Sequence, residues 1–115
     1  MKELSYLKRH LLKGEYIMVG FVVRRSTPEE TIVEFLNKYN NASFEVQGDS
    51  DITIELLGGT YVEIFTRHAS WNGYVDRFDS IDKKLIKDRM NPSEAEMDII
   101  RKVMRAIDKR YSTAA

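Results

Sequence analysis

The chain of 115 residues has the length of one domain, and its 18 basic and 18 acidic side chains give a formal net charge of zero. An apolar fraction of 43% is too high for a disordered protein. The sequence contains no cysteine, which excludes disulfide bonds and thiolate metal sites, and its two histidines lack the spacing of zinc ligands. We therefore expect one domain over residues 1–115, without a metal ion or a cofactor.

Targeting signals are not evident in the sequence. Its first residues are charged and do not resemble a signal peptide, and no stretch approaches the roughly 18 consecutive apolar residues of a membrane span. We therefore expect a cytoplasmic protein without a membrane segment. The charges are segregated, since residues 26–65 hold eight acidic groups and one basic group. Internal compensation explains this better than a charged partner, because position in sequence says little about position on the surface.

The first two predicted elements are a helix and a strand. Three leucines at helical spacing predict a short amphipathic helix over residues 2–13. The apolar run over residues 16–23 is rich in β-branched and aromatic residues and predicts a central strand that is covered on both faces. Gly20 interrupts this run, which indicates a bulge or the close approach of another element.

A second helix is predicted over residues 27–40, with Thr27 as its N-cap and Pro28 at its first position. A short alternating segment over residues 43–47 predicts a strand after it. These segments are joined by polar residues that are typical of turns.

Residues 51–66 carry the strongest hairpin signal, because two alternating apolar segments meet at a pair of glycines. A two-residue loop would mix polar and apolar side chains on both faces. The pattern therefore favours a three-residue loop over residues 57–59, which places Ile54 opposite Val62.

The last third of the chain is predicted to contain a loop and two helices. Residues 68–75 have a loop-like composition, and helical spacing returns after them. Asn91 is the predicted N-cap of a long C-terminal helix, and residues 112–115 are expected to fray. Because this helix spans about 30 Å, part of its apolar stripe could extend beyond its own sheet. We therefore expect a monomer, or a homodimer that pairs through residues 92–111.

Together these elements predict an α+β fold in the order α-β-α-β-β-β-α-α. Its sheet has three or four mainly antiparallel strands, with the helices packed on one face.

The leading functional hypothesis is a non-enzymatic interaction or regulatory module that binds a protein partner, of the adaptor or inhibitor type. It depends on exposed aromatic and arginine side chains, which are frequent hot spots of interfaces. The candidate residues for binding the partner are Arg67, His68, Trp71, Tyr74 and Arg77.

Two alternatives remain open. Nucleic-acid binding is suggested by cations along one helix, although two aspartates and the near-neutral pI oppose it. The cations are Arg101, Lys102, Arg105, Lys109 and Arg110. The other alternative is a small enzyme with its site around His68, near Ser70, Trp71, Asp76 and Asp79, although the sequence contains no recognisable catalytic motif.

Overall fold

The computed structural model describes residues 5–11, 17–78 and 80–114, which form a six-stranded sheet and three helices. The strands are β1 (Ser5–Leu11), β2 (Ile17–Val23), β3 (Ala42–Val46), β4 (Thr53–Leu57), β5 (Tyr61–Phe65) and β6 (Ser70–Tyr74). The helices are α1 (Glu29–Leu36), α2 (Ser80–Met90) and α3 (Glu94–Ala114), and a 3₁₀ turn, Val75–Arg77, follows β6.

The strands lie in the sheet in the same order as in the chain. All neighbours are antiparallel except β2 and β3, which are parallel and are joined through α1. The α+β class is therefore confirmed, whereas the predicted number of three or four strands is wrong. The two unpredicted strands, β1 and β6, come from segments that the sequence pattern assigned to a helix and a loop.

The prediction of a helix over residues 2–13 is wrong for Ser5–Leu11, which pair with β2 as strand β1; the rest of that segment lies outside the described residues. Short leucine spacings are ambiguous, and the pairing offered by an apolar strand overrides them. The predicted irregularity at Gly20 is confirmed. Tyr6 lies opposite Phe21, and Arg9 lies opposite Val19. The two β1 residues between Tyr6 and Arg9 are therefore matched by the single residue Gly20, which defines a β-bulge.

Strand β6 occupies most of the predicted loop at residues 68–75. A glycine in this segment resembles a turn signal, but Gly73 has a packing role. A Cβ atom at this position would lie 3.0 Å from the Trp71 ring, so glycine leaves room for the indole.

Helix α1 is shorter than the predicted range of residues 27–40, and Pro28 rather than Thr27 is its N-cap. Thr27 is buried, and its Oγ1 accepts a hydrogen bond of 2.9 Å from the Arg24 N–H. The hydroxyl therefore closes the turn before the helix instead of capping the helix itself.

The hairpin is confirmed, but its register differs from the prediction by two residues. Its loop has the predicted odd length and comprises residues 58–60, and Ile54 lies opposite Ile64 rather than Val62. A shift of two residues keeps every side chain on its face, so the apolar pattern alone could not choose between these registers. Gly58 and Gly59 lie in this loop with φ angles of 61° and 77°, a conformation that glycine adopts without a steric penalty.

One face of the sheet packs with all three helices around a continuous apolar core. Phe21 and Phe44 project from this face, and the Phe35 ring of α1 lies 4.5 Å from that of Phe21. The apolar stripe of α3 belongs to the same core, so the bare stripe expected for a homodimer is not observed. α3 packs along α1 and also contacts the sheet at β3.

Candidate functional site

The structure places the five predicted partner-binding residues in three environments. Arg67 and His68 are exposed in the turn between β5 and β6, and Trp71 is in the core. Tyr74 is exposed at the end of β6, and Arg77 is exposed in the 3₁₀ turn that follows. These residues therefore do not form one continuous surface.

Trp71 is only 8% exposed, so the prediction that it lies on the surface is wrong. Its indole N–H donates a hydrogen bond of 3.2 Å to the Asp82 carboxylate, and its ring is edge-on to that of Phe78, with 5.5 Å between centroids. These contacts attach α2 to the sheet. Burial of the apolar ring with a partner for its polar atom is the usual state of a core tryptophan.

The turn that holds Arg67 and His68 is stabilised by Thr66. Its Oγ1 accepts hydrogen bonds from the N–H groups of His68 and Ala69, at 3.2 and 3.1 Å. Arg67 forms an exposed ion pair of 3.5 Å with Asp51. These contacts explain the turn without a chemical role for the imidazole.

The residues of the enzyme alternative are not gathered around His68. Trp71 is in the core, and Asp76 follows the far end of β6. Asp79 lies outside the described residues. Within the described part of the chain, no three histidine, aspartate or glutamate residues are placed to hold a metal ion.

Tyr74 and Arg77 form an exposed aromatic cluster with Tyr61. Tyr61 lies opposite Tyr74 in the ladder, and their rings meet edge to face with 5.4 Å between centroids. The Arg77 guanidinium lies 5.6 Å from the centroid of the Tyr74 ring, and Tyr74 is 49% exposed. Tyr74 and Arg77 were predicted from the sequence, whereas the place of Tyr61 beside them depends on the strand register.

This cluster lies on the sheet face opposite the helices, which we call the open face. The three helices make their core contacts with the other face. The open face is not exposed throughout, since Met18 of β2 lies on it and is buried, whereas Tyr61 is partly exposed and Tyr74 is exposed. The strand residues that alternate onto the open face across β3 to β6 include three glutamates and no lysine or arginine. They are Ser43, Glu45, Thr53, Glu55, Leu57, Tyr61, Glu63, Phe65, Ser70, Asn72 and Tyr74.

Two of these glutamates are direct neighbours across the hairpin. Glu55 lies opposite Glu63 in the β4–β5 ladder. Glu63 forms no ion pair with another described residue. The open face therefore combines aromatic rings with negative charge.

The cations proposed for nucleic-acid binding lie on α3, but several connect α3 to the rest of the fold. Arg105 and Lys109 contact the Glu29 carboxylate at 2.8 and 2.6 Å. Hydrogen bonds from Lys109 and Arg105 hold the pKa of Glu29 below its usual value. Arg101 pairs with Asp98 in the same helix, and Arg110 bonds to the Asn40 amide oxygen.

Lys102 is also used internally. Its ammonium donates hydrogen bonds to the carbonyl oxygens of Arg24, Arg25 and Thr27 at 3.0, 2.7 and 2.6 Å. Burial lowers the pKa of Lys102, and nearby Arg105 adds to this effect. The ammonium therefore stabilises the connection between β2 and α1, and its hydrogen bonds are used within the fold rather than for contact with a phosphate backbone.

Glu96 was not predicted as a structural residue from the sequence, and it is only 2% exposed. Its carboxylate accepts hydrogen bonds from the N–H groups of Ser93 and Ser50, at 2.8 and 2.9 Å, and from the Ser50 hydroxyl, at 2.9 Å. Burial alone would raise the pKa of Glu96, but these hydrogen bonds outweigh it and hold the pKa below its usual value.

Ser93 is the N-cap of α3, since its Oγ accepts a hydrogen bond of 3.1 Å from the Glu96 N–H. The predicted cap, Asn91, is therefore wrong. The sequence signal was present, because Ser93 and Glu96 have the spacing of a capping box.

Comparison with protein-family models, with curated proteins and with solved structures found no match. No described helix is both long and apolar enough to span a membrane.

Proposed function

We propose that this protein is a non-enzymatic module that binds a protein partner through the open face of its sheet, around Tyr74. The observation that carries the proposal is the edge-to-face pair of Tyr61 and Tyr74 with the Arg77 guanidinium beside it. Tyrosine and arginine are enriched among residues that dominate binding energy. The sequence without cysteine supports a cytoplasmic setting.

The surroundings of the cluster support an interface. Leu57, Tyr61 and Phe65 are partly exposed on the same face, so a partner could bury apolar area beyond the tyrosine pair. Glu55 and Glu63, which lie opposite each other, give this part of the open face acidic side chains.

A second function on α3 receives less support. Lys102, Arg105 and Lys109 are committed to contacts within the fold, so a nucleic acid would have to compete with Glu29 and with backbone carbonyls for them. We therefore favour the open face over α3 as the binding surface.

Photo-crosslinking in the native host tests the proposal. A photoreactive phenylalanine analogue replaces Tyr74 in one variant and Leu85 in a control, because Leu85 is 38% exposed on α2, away from the open face. We expect a discrete protein adduct at position 74 and none at position 85. The Tyr61→Ala change should reduce the adduct at position 74, since it removes the neighbouring ring.

Absence of an adduct at position 74 in folded protein would contradict the proposal. Equal adducts at positions 74 and 85 would also contradict it, because they would show labelling by general exposure.

A further inference from the structure

The hydrogen bonds of β6 show which of its backbone groups face away from the sheet. At the ends of the β5–β6 ladder, the Val75 N–H donates to the Thr60 carbonyl at 2.9 Å, and the Thr66 N–H donates to the Ala69 carbonyl at 2.8 Å. Bonded pairs in an antiparallel ladder alternate with non-bonded pairs. Trp71 and Gly73 therefore belong to bonded pairs, and the residues that alternate with them belong to non-bonded pairs. These residues, Ser70, Asn72 and Tyr74, direct their N–H and C=O groups away from β5.

Most of this edge is accessible. The Ser70 carbonyl accepts a long hydrogen bond of 3.4 Å from the Arg89 guanidinium, which confirms its outward direction. Asn72 and Tyr74 are exposed, and no described residue accepts a hydrogen bond from their N–H groups. The Asn72 N–H and carbonyl and the Tyr74 N–H are therefore available to another strand, whereas the Tyr74 carbonyl begins the 3₁₀ turn Val75–Arg77.

The composition of β6 does not protect this edge. Natural edge strands are usually guarded by charged residues, proline or bulges, which prevent pairing with other chains. β6 has the sequence SWNGY, without a charge or a proline, and its pairing with β5 is regular over all five residues. Such a strand is suited to pairing with an added strand.

We propose that the edge of β6 receives an extended, cationic segment of a partner protein, which adds to the sheet as a seventh strand. This inference rests on the proposed function and specifies its mode of binding. Main-chain hydrogen bonds to Asn72 and Tyr74 hold the segment, and its alternate side chains lie beside the open face.

The cationic character follows from the carboxylate beside the middle of β6, since the cations at this edge, Arg89 and Arg77, lie at its two ends beside Ser70 and Tyr74. Glu63 on β5 lies opposite Asn72 on β6. A strand added beyond β6 would lie two strand spacings from β5, or about 10 Å. A lysine or arginine opposite Asn72 can cross this distance, because its long flexible stem lies along the surface while its charge reaches the Glu63 carboxylate. An acidic side chain in that position would meet like charge.

A synthetic peptide, acetyl-TKVKVKVKT-amide, tests the proposal by titration calorimetry at low salt. Its lysines alternate, so they occupy one face of a strand. We expect it to bind more tightly than the same peptide with glutamate in place of lysine. Glu63→Gln should weaken binding about two- to fivefold, as expected for one cross-strand ion pair.

Two changes test the backbone contacts. Asn72→Pro removes an outward N–H that is not used inside the sheet, and proline is tolerated at such edge positions. We expect at least a tenfold loss of affinity, and the same loss when the peptide amides are N-methylated. Asn72→Lys serves as a second variant if the proline variant does not fold, because its charge guards the edge and repels the peptide.

Absence of detectable binding of the lysine peptide would overturn the inference. Binding that tolerates both the edge variants and N-methylation would overturn strand addition, and equal binding of the glutamate peptide would overturn the charge preference. If any of these results is obtained while position 74 still crosslinks to a protein, only the strand-addition inference fails. If position 74 does not crosslink to a protein, the proposed function itself fails.

Discussion

Gly48 lies so close to the Glu96 carboxylate that a Cβ atom at position 48 would overlap the Glu96 side chain. The turn before β4 and the start of α3 are therefore fitted to each other, with Ser50 bonded to the same carboxylate. Gly48→Ala should displace Glu96 and destabilise the protein by about 1–3 kcal/mol. Urea unfolding measures the change.

The double variant Gly48→Ala, Glu96→Ala is the control for this contact. Because the overlapping side chain is absent there, the alanine at position 48 should add little to the cost of Glu96→Ala. Simple additivity of the two costs would show that the overlap is not the cause.

The hydrogen-bonded carboxylate predicts sensitivity to acid. The folded-state pKa of Glu96 is lower than its ordinary value of 4.5, so the unfolded chain binds the proton more readily. The stability that this group contributes is complete above pH 4.5 and is lost as the pH falls through the folded pKa. Glu96→Gln should cost about 1–3 kcal/mol at pH 7 and should reduce the further loss in acid.

Unfolding of both proteins in urea at pH 7 and pH 3 measures this effect. Glu94→Gln is a matched control, because Glu94 is exposed two residues earlier and forms an exposed ion pair with Lys87. An acid-induced loss that is the same in the Glu96→Gln variant as in the wild type would contradict the assignment.

Trp71 and Tyr74 lie on opposite faces of one strand and should differ in their effect on stability. Trp71→Ala removes a buried ring and its bond to Asp82, and should cost about 3–5 kcal/mol. Tyr74→Ala, which removes a half-exposed ring, should cost less than about 1 kcal/mol. Thermal unfolding compares the two, and similar costs would be inconsistent with the two environments.

Lys102 and Arg101 provide a further comparison on neighbouring positions of α3. Lys102→Met leaves three carbonyl groups without their cation and should destabilise the fold by about 1–3 kcal/mol. Arg101→Met removes an ion pair within the helix and should cost less than about 0.5 kcal/mol. Denaturation by urea gives both values; a larger cost for Arg101→Met would reverse the assignment.

The sequence was most informative where residues interact locally. The hairpin, its odd-length loop and the buried faces of β4 and β5 followed from alternation and two glycines. The pairing of Ile54 with Ile64 did not, because registers that differ by two residues bury the same side chains.

Elements that depend on distant contacts were not predicted. Residues 5–11 form a strand because β2 provides a partner for pairing, which leucine spacing cannot show. Ser70–Tyr74 was obscured by Gly73, whose missing side chain is needed for the Trp71 indole. In both segments tertiary packing overrides the local pattern.

The candidate site was predictable only in part. Tyr74 and Arg77 were selected for residue type and are exposed together, whereas Trp71 was selected for the same reason and is buried. The roles of Tyr61 and Glu63 depend on strand register, which residue type does not reveal. Glu96 had a recognisable capping pattern with Ser93, but its bond to Ser50 spans 46 positions.

The parallel pair of β2 and β3 has a consequence for folding kinetics. Strands β3 to β6 are joined by short turns and can associate in sequence, whereas β2 can reach β3 only after the segment containing α1 has crossed the sheet. Contacts between distant residues are slower to form because chain entropy is lost first. We therefore expect substitutions in β4 and β5 to slow folding, while substitutions at the β2–β3 contact, such as Phe21→Leu, mainly accelerate unfolding.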